Sequence, residues 1–225
     1  MNNAIEVIGF GKRYKHSTLQ DISFTVPEGF ITGLVGPSGT GKTTIINAIL
    51  GQIRGDSGRC LVFGKNAYET PVLREDVGIV LDSLIYMRHL TPDEIEKQLV
   101  GFYSKWSHEL FRHYLNFFEL PLDIKMNQYS KGMQMKFMLA VALAHSPKLL
   151  ILDEPTSGYD IKLTEFLPEY EKYGRSAPLK RNITIIEHSD LVLAFWDGAS
   201  RGTKFVIDNC KKRGIPVRVF TPEQK

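Results

Sequence analysis

A chain of 225 residues with 43% hydrophobic and 24% charged residues is ordinary for a soluble globular protein, with room for one large domain or one domain plus a small appendage. The net charge of +3 and pI near 8.7 are mild, and no basic run is dense enough to track nucleic-acid phosphates, so no nucleic-acid partner is expected. Cys60 and Cys210 match no metal-ligand spacing and read as thiols of a reduced, cytosolic protein; no signal peptide is expected, and no apolar run reaches the ~20 residues of a membrane span.

The first elements in chain order are two antiparallel strands within GFGKRYKHSTLQDISFTVPEG, joined by a turn. Tyr14 stands at their end, either as a ring that stacks on a purine or as a strand-edge aromatic. Next, Ile31 to Val35 is a short apolar run fit for a buried strand, and GPSGTGKT (Gly36 to Thr43) fits G-x-x-x-x-G-K-S/T. TTIINAIL follows at helical spacing, with Gly51 as its stop. In such a strand–loop–helix, glycines let backbone N–H groups turn inward around phosphate oxygens, and the helix start adds its positive end. Lys42 reaches toward the β- and γ-phosphates and the Thr43 hydroxyl is a Mg²⁺ ligand, which makes Gly36, Pro37, Ser38, Gly39, Thr40, Gly41, Lys42, Thr43 and Thr44 a nucleotide cradle.

From Thr91 to Phe118 the chain is helix-rich, opening with Thr91 as N-cap, Pro92 at the first helical position and Glu94 closing a capping box. Aromatics crowd the stretch from Phe102 to Phe118, most of them for a core. A helix over Lys131 to His145 places Met133, Phe137, Ala140, Val141 and Ala144 on one face, with Ser130 as N-cap and Gly132 permitting close approach. Lys148 to Pro155 (KLLILDEP) is an apolar run ending in two acids, as in a strand buried on both faces of a parallel sheet. Its carboxyl end is where ligands lie in open α/β sheets, so Asp153 is a candidate to hold Mg²⁺ through water and Glu154 to activate an attacking water.

Taken together, Tyr14, GPSGTGKTT, YSKGMQMK and LLILDEPTSGYD resemble the nucleotide-binding subunit of ATP-binding cassette (ABC) transporters, over about residues 1–160, and most of all the small ATPases of ABC-2-type exporters. The resemblance implies an α/β P-loop fold with an antiparallel β subdomain, a mostly parallel core sheet and a helical subdomain at about 83–146. It also implies ATP and Mg²⁺ as cofactors, Tyr14 as the adenine-stacking ring, and YSKGMQ in the place of the LSGGQ signature. Ser130, Gly132 and Gln134 then face the ATP of a second cassette in a homo- or heterodimer, and Asp160 stands in the loop linking the two sites. Asp82 occupies the region where the family carries a metal-sensing glutamine, and serves either the ion or a turn. A separate transmembrane permease is the implied partner, with the subunit cytoplasmic and peripheral on the inner face of the membrane. The rival expectation is a soluble nucleotide-binding or sensing module that turns over poorly.

Beyond Asp160 the family pattern lapses. APLKRNITIIEHSD reads either as a strand ending in a switch histidine, His188, or as a helix. After it comes a strand (Leu191 to Trp196), a turn, a helix (about Thr203 to Arg213, its Lys211–Arg213 end solvated) and a strand (Val217 to Phe220), with Gly214 stopping the helix. AFWDGASRGTKFVID resembles part of a SLOG domain, a small Rossmann-like fold, over about 165–225. That resemblance makes Asp197, Gly198, Ser200, Gly202 and Thr203 candidate phosphate or ribose contacts. The expected division is therefore 1–162 and 163–225, the second segment being able to complete the sheet of the first.

Overall fold

Residues 2–15, 17–81, 86–153 and 186–221 are described by the computed structural model of the chain. Contacts group into two compact units, Met1–Pro71 with Glu165–Lys225, and Val72–Thr164. One break, at 164/165, falls two residues from the expected 162/163; a second, at 71/72, separates Val72–Thr164 from the N-terminal segment, with which the C-terminal segment groups.

In the first unit β1 (Asn3–Tyr14) and β2 (Ser17–Pro27) form a long antiparallel pair. Alternation buries Ile5 and Val7 while Glu6 and Ile8 turn outward, until a register shift between Val7 and Phe10 reverses the parity and buries Phe10. β4 (Ser57–Val62) and β5 (Lys65–Asn66) complete a four-stranded sheet in the order β2-β1-β4-β5. Phe63 and Gly64 join the last two strands with φ of +48° and +73°, the doubly positive turn that matches strand twist.

The same unit contains a parallel sheet in the order β3-β8-β9, made of β3 (Thr32–Val35), β8 (Leu191–Phe195) and β9 (Val217–Phe220). Thr32 pairs with Leu191 and Val35 with Ala194. Asp190 fastens the start of this pair, its backbone N–H donating to the Ile31 carbonyl at 2.8 Å while its carboxylate accepts from Ile31 N–H at 2.8 Å. Helix α1 (Lys42–Ile49) follows β3, and α5 (Arg201–Arg213) links β8 to β9. Gly214 takes the left-handed conformation (φ +70°) that ends α5, and the exposed Arg213 pairs with Glu187 at 2.5 Å.

In the second unit β6 (Val77–Val80) and β7 (Leu149–Leu152) pair in parallel. The helices α2 (Pro92–Leu99), α3 (His108–Phe117) and α4 (Lys131–Ala144) lie between them in sequence. The Thr91–Glu94 capping box forms, with Thr91 N–H donating to the Glu94 carboxylate at 2.8 Å, and this donation holds the Glu94 carboxyl below its usual range. The aromatic-rich stretch divides as its periodicity requires: Phe111, Leu115 and Phe118 join Phe137, Val141 and Ala144 in one core, whereas Phe102 and Phe117 face outward. No helix among the described residues is long and apolar enough to cross a membrane.

Candidate nucleotide site

Residues Gly36–Gly41 run from the end of β3 into α1, and close packing explains the glycines at both ends of the loop. A Cβ on Gly36 would stand 2.5 Å from the Phe195 carbonyl oxygen, so only glycine lets the chain leave β3 this close to β8. Gly41 turns at φ +96° as the residue before α1, and a Cβ there would meet the Leu19 side chain at 2.6 Å. Ser38 and Gly39 are exposed at the tip. Thr40, buried, donates through its hydroxyl to the Pro37 carbonyl at 2.8 Å. The Lys42 ammonium donates to the carbonyls of Gly36 (2.7 Å) and Pro37 (2.9 Å), which closes the loop over its own lysine. Thr43 is exposed and Thr44 half-buried in the first turn of α1.

Tyr14 belongs to this neighbourhood. Leu19, which packs on Gly41, pairs with Lys12 across the β1–β2 ladder, and Tyr14 lies two residues further along, about 7 Å at the usual strand rise. Its side chain is 45% exposed, as a ring available for stacking must be. Asp56 braces the same strand end through Lys12 (2.9 Å) and the Arg13 N–H (2.8 Å), and the Arg13 and Lys12 donors hold its carboxyl below the usual range.

In the other unit Asp153 follows β7, its N–H donating to the Val80 carbonyl at 2.8 Å. Ser130 caps α4 by accepting from Met133 N–H at 3.2 Å and is exposed, with Gly132 half-buried beside it. Tyr129, where the family's signature has leucine, is buried against Phe137 and satisfies its hydroxyl on the Pro121 carbonyl, so the larger ring fits without an orphaned polar group. Gln134 is turned to its own loop, its amide donating to the carbonyls of Tyr129 (3.0 Å) and Met126 (3.4 Å). Asp82, Glu154 and Asp160 lie outside the described residues.

The structure does not bring His188 to the cradle. Ile186 and Glu187 are helical and His188 sits in the turn before β8. The P-loop leaves the sheet at the opposite, carboxyl end, and the four steps from Leu191 to Phe195 alone span about 13 Å. A strand ending in His188 is thus replaced by a strand that begins after it. What stands beside the P-loop instead is the turn after β8, where Asp197 accepts from the N–H groups of Ala199 (3.0 Å) and Ser200 (2.7 Å). Ser200 in turn caps α5 by accepting from Thr203 N–H at 3.4 Å. Asp197, Ser200 and Thr203 therefore serve the turn itself. Leu19 and Phe195 went unread in the sequence because nothing local marks a residue that packs against a distant glycine.

The parallel sheet, the glycine loop and the lysine at the head of α1 define a P-loop nucleotide-binding fold. The model of the ABC transporter family matches residues 19–157, and the chain belongs to that family. Among curated relatives, an uncharacterized ABC transporter ATP-binding protein of Bacillus subtilis is 37% identical over 145 residues, 63% of this chain and 47% of that protein. The bacitracin transport ATP-binding protein of Bacillus licheniformis is 30% identical over 200 residues, 85% of this chain and 63% of that one. The chain spans about half the length of the first curated relatives it matches, 47% and 48% in two cases. Among solved structures, an ATP-binding subunit of an ABC transporter superposes with a TM-score of 0.64 at 25% identity, covering 84% of this chain and 78% of that one. A post-hydrolysis cassette dimer bound to ADP and Pi shares the fold at a TM-score of 0.62 and 22% identity, over 97% of this chain and 88% of that one.

Proposed function

We propose that this chain binds and hydrolyses Mg²⁺-ATP as the nucleotide-binding subunit of an ABC transporter and drives a separate transmembrane permease. The observation that carries the reading is the Gly36–Thr44 cradle, with Lys42 already drawn onto the loop carbonyls that phosphate oxygens replace. Tyr14 stacks on the adenine, and the amides of Gly39 to Thr44 hold the phosphates. The residues that would hold Mg²⁺ are Thr43, through its hydroxyl, and Asp153, through its carboxylate, oxygen donors of the kind a hard cation requires. When bound it neutralises charge on the phosphates; Glu154 orients and deprotonates the attacking water. Ser130 and Gly132 of one cassette close on the ATP of a second, whether an identical chain or a relative, and Asp160 links the two sites. Relatives of this chain are named for export of Nod factor and for import of sulfate or thiosulfate, so direction and cargo belong to the permease rather than to the cassette. The subunit works at the cytoplasmic face of the membrane through that permease.

A steady-state ATPase assay on purified chain tests this. Glu154→Gln is expected to retain ATP while turnover falls ~10²–10⁴-fold, the contribution of a general base; unchanged turnover sinks the assignment. From its place before β8, His188→Ala is expected to leave both ATP affinity and turnover at the level of the unmodified chain. Loss of turnover with binding intact would mean that the imidazole reaches the phosphates after all.

A further inference from the structure

Two loops leave the carboxyl edge of the β3-β8-β9 sheet side by side, the P-loop after β3 and the Trp196–Ser200 turn after β8. Their contact is close, since the Phe195 carbonyl stands against Gly36. The connections that follow depart to opposite faces of the sheet. Phe195 stacks on Phe220, which meets Phe24 of β2, so this face looks toward the antiparallel sheet. Helix α1 lies on that side, with Leu19 of β2 at its first turn and the Ala67 backbone against Gly51 at its end. Helix α5 packs on the other face, where Val206 and Cys210 meet Val192 and Val35. Adjacent parallel strands whose connections part in this way leave a crevice at their carboxyl ends, the place where open α/β sheets hold ligands.

The turn's own oxygen acceptors are committed to it, as Asp197 and Ser200 show. Its cations are not. Arg201 and Lys204, three residues apart in the first turn of α5, are exposed, and neither has an ion-pair partner among the described residues. No acidic residue occupies that helical turn to balance them. We propose that Arg201 and Lys204 contact the triphosphate of the nucleotide on the P-loop, so that the turn after β8 is the second wall of that site. The inference rests on the reading of Gly36–Thr44 as the ATP cradle, and it gives the C-terminal segment a direct part in holding substrate where the family pattern lapses.

The test is calorimetric titration of the full chain with Mg²⁺-ATP at fixed ionic strength, with melting midpoints recorded for each variant. Reversing both charges (Arg201→Glu with Lys204→Glu) is expected to weaken ATP binding ~10-fold or more, as attraction to the phosphates becomes repulsion. The exchange Arg201→Lys with Lys204→Arg is expected to bind as the unmodified chain does. Both variants should melt where the unmodified chain melts, because the two side chains are exposed. Affinity of the unmodified chain should also fall more steeply with salt than that of the charge-reversed variant. Charge reversal without effect, in a protein whose Lys42→Ala variant has lost ATP, overturns the proposal and leaves the cradle standing. A weakening that follows a lowered melting midpoint and is not rescued by the exchange overturns it as well. If Lys42→Ala also binds normally, the cradle reading itself is what fails.

Discussion

Lys42→Ala is expected to bind Mg²⁺-ATP about 100-fold more weakly than the unmodified chain, because a charge-assisted hydrogen bond to phosphate is worth about 3 kcal/mol and each 1.4 kcal/mol is tenfold. The ammonium already occupies the mouth of the cradle through the Gly36 and Pro37 carbonyls. Two consequences follow from that one placement. Its removal frees the loop carbonyls in the nucleotide-free protein, where they cost little because the loop tip is exposed at Ser38 and Gly39. It also removes the only side-chain cation of the Gly36–Thr44 segment, which no backbone amide replaces. Equilibrium titration with a fluorescent ATP analogue reads the loss. Affinity equal to that of the unmodified chain would remove the P-loop from nucleotide binding, and with it the reading of the chain as an ATPase.

Local chemistry made much of this protein legible in its sequence. The P-loop strand and helix follow from an apolar run, three glycines and a helical repeat, and the structure ends α1 one residue before Leu50, with Gly51 left-handed at φ +64°. The capping box at Thr91 and Glu94 is a purely local device and stands as expected. So does the strand–helix–strand run near the end, whose β9 spans Val217–Phe220 and whose α5 starts two residues earlier than expected, at Arg201, because Ser200 is its cap. What sequence could not supply was pairing. Periodicity says that Leu191–Phe195 is a strand but not that its neighbour is β3, about 160 residues away. That neighbour is chosen by Asp190 clamping Ile31 and by the fit of Phe195 against a residue with no side chain. His188 meets the same limit: NITIIEHSD satisfies a helical and a strand period alike, and only the helical Ile186–Glu187 and the start of β8 after them decide.

The C-terminal segment therefore matters through one crossing point, and Gly36→Ala addresses it. A methyl group there would stand 2.5 Å from the Phe195 carbonyl oxygen, 2.8 Å from the Phe195 Cβ and 3.0 Å from the Thr40 hydroxyl. None of the three yields cheaply, for the first two are fixed by the β3–β8 ladder and the third by its bond to Pro37. Overpacking of this kind costs about 1–3 kcal/mol. Gly39→Ala is the matched control: its φ of +83° penalises a side chain by roughly 1–2 kcal/mol, but a Cβ there meets nothing within 4 Å. Chemical denaturation is expected to show Gly36→Ala at least as destabilising as Gly39→Ala, because its φ of +159° also disfavours a side chain and the steric conflict adds to that. Gly36→Ala should in addition weaken ATP binding, since the P-loop can accommodate the methyl only by drawing away from β8. Equal stability of Gly36→Ala and the unmodified chain would mean that β8 does not lie against the P-loop. The C-terminal segment would then be an appendage to the nucleotide site rather than part of it.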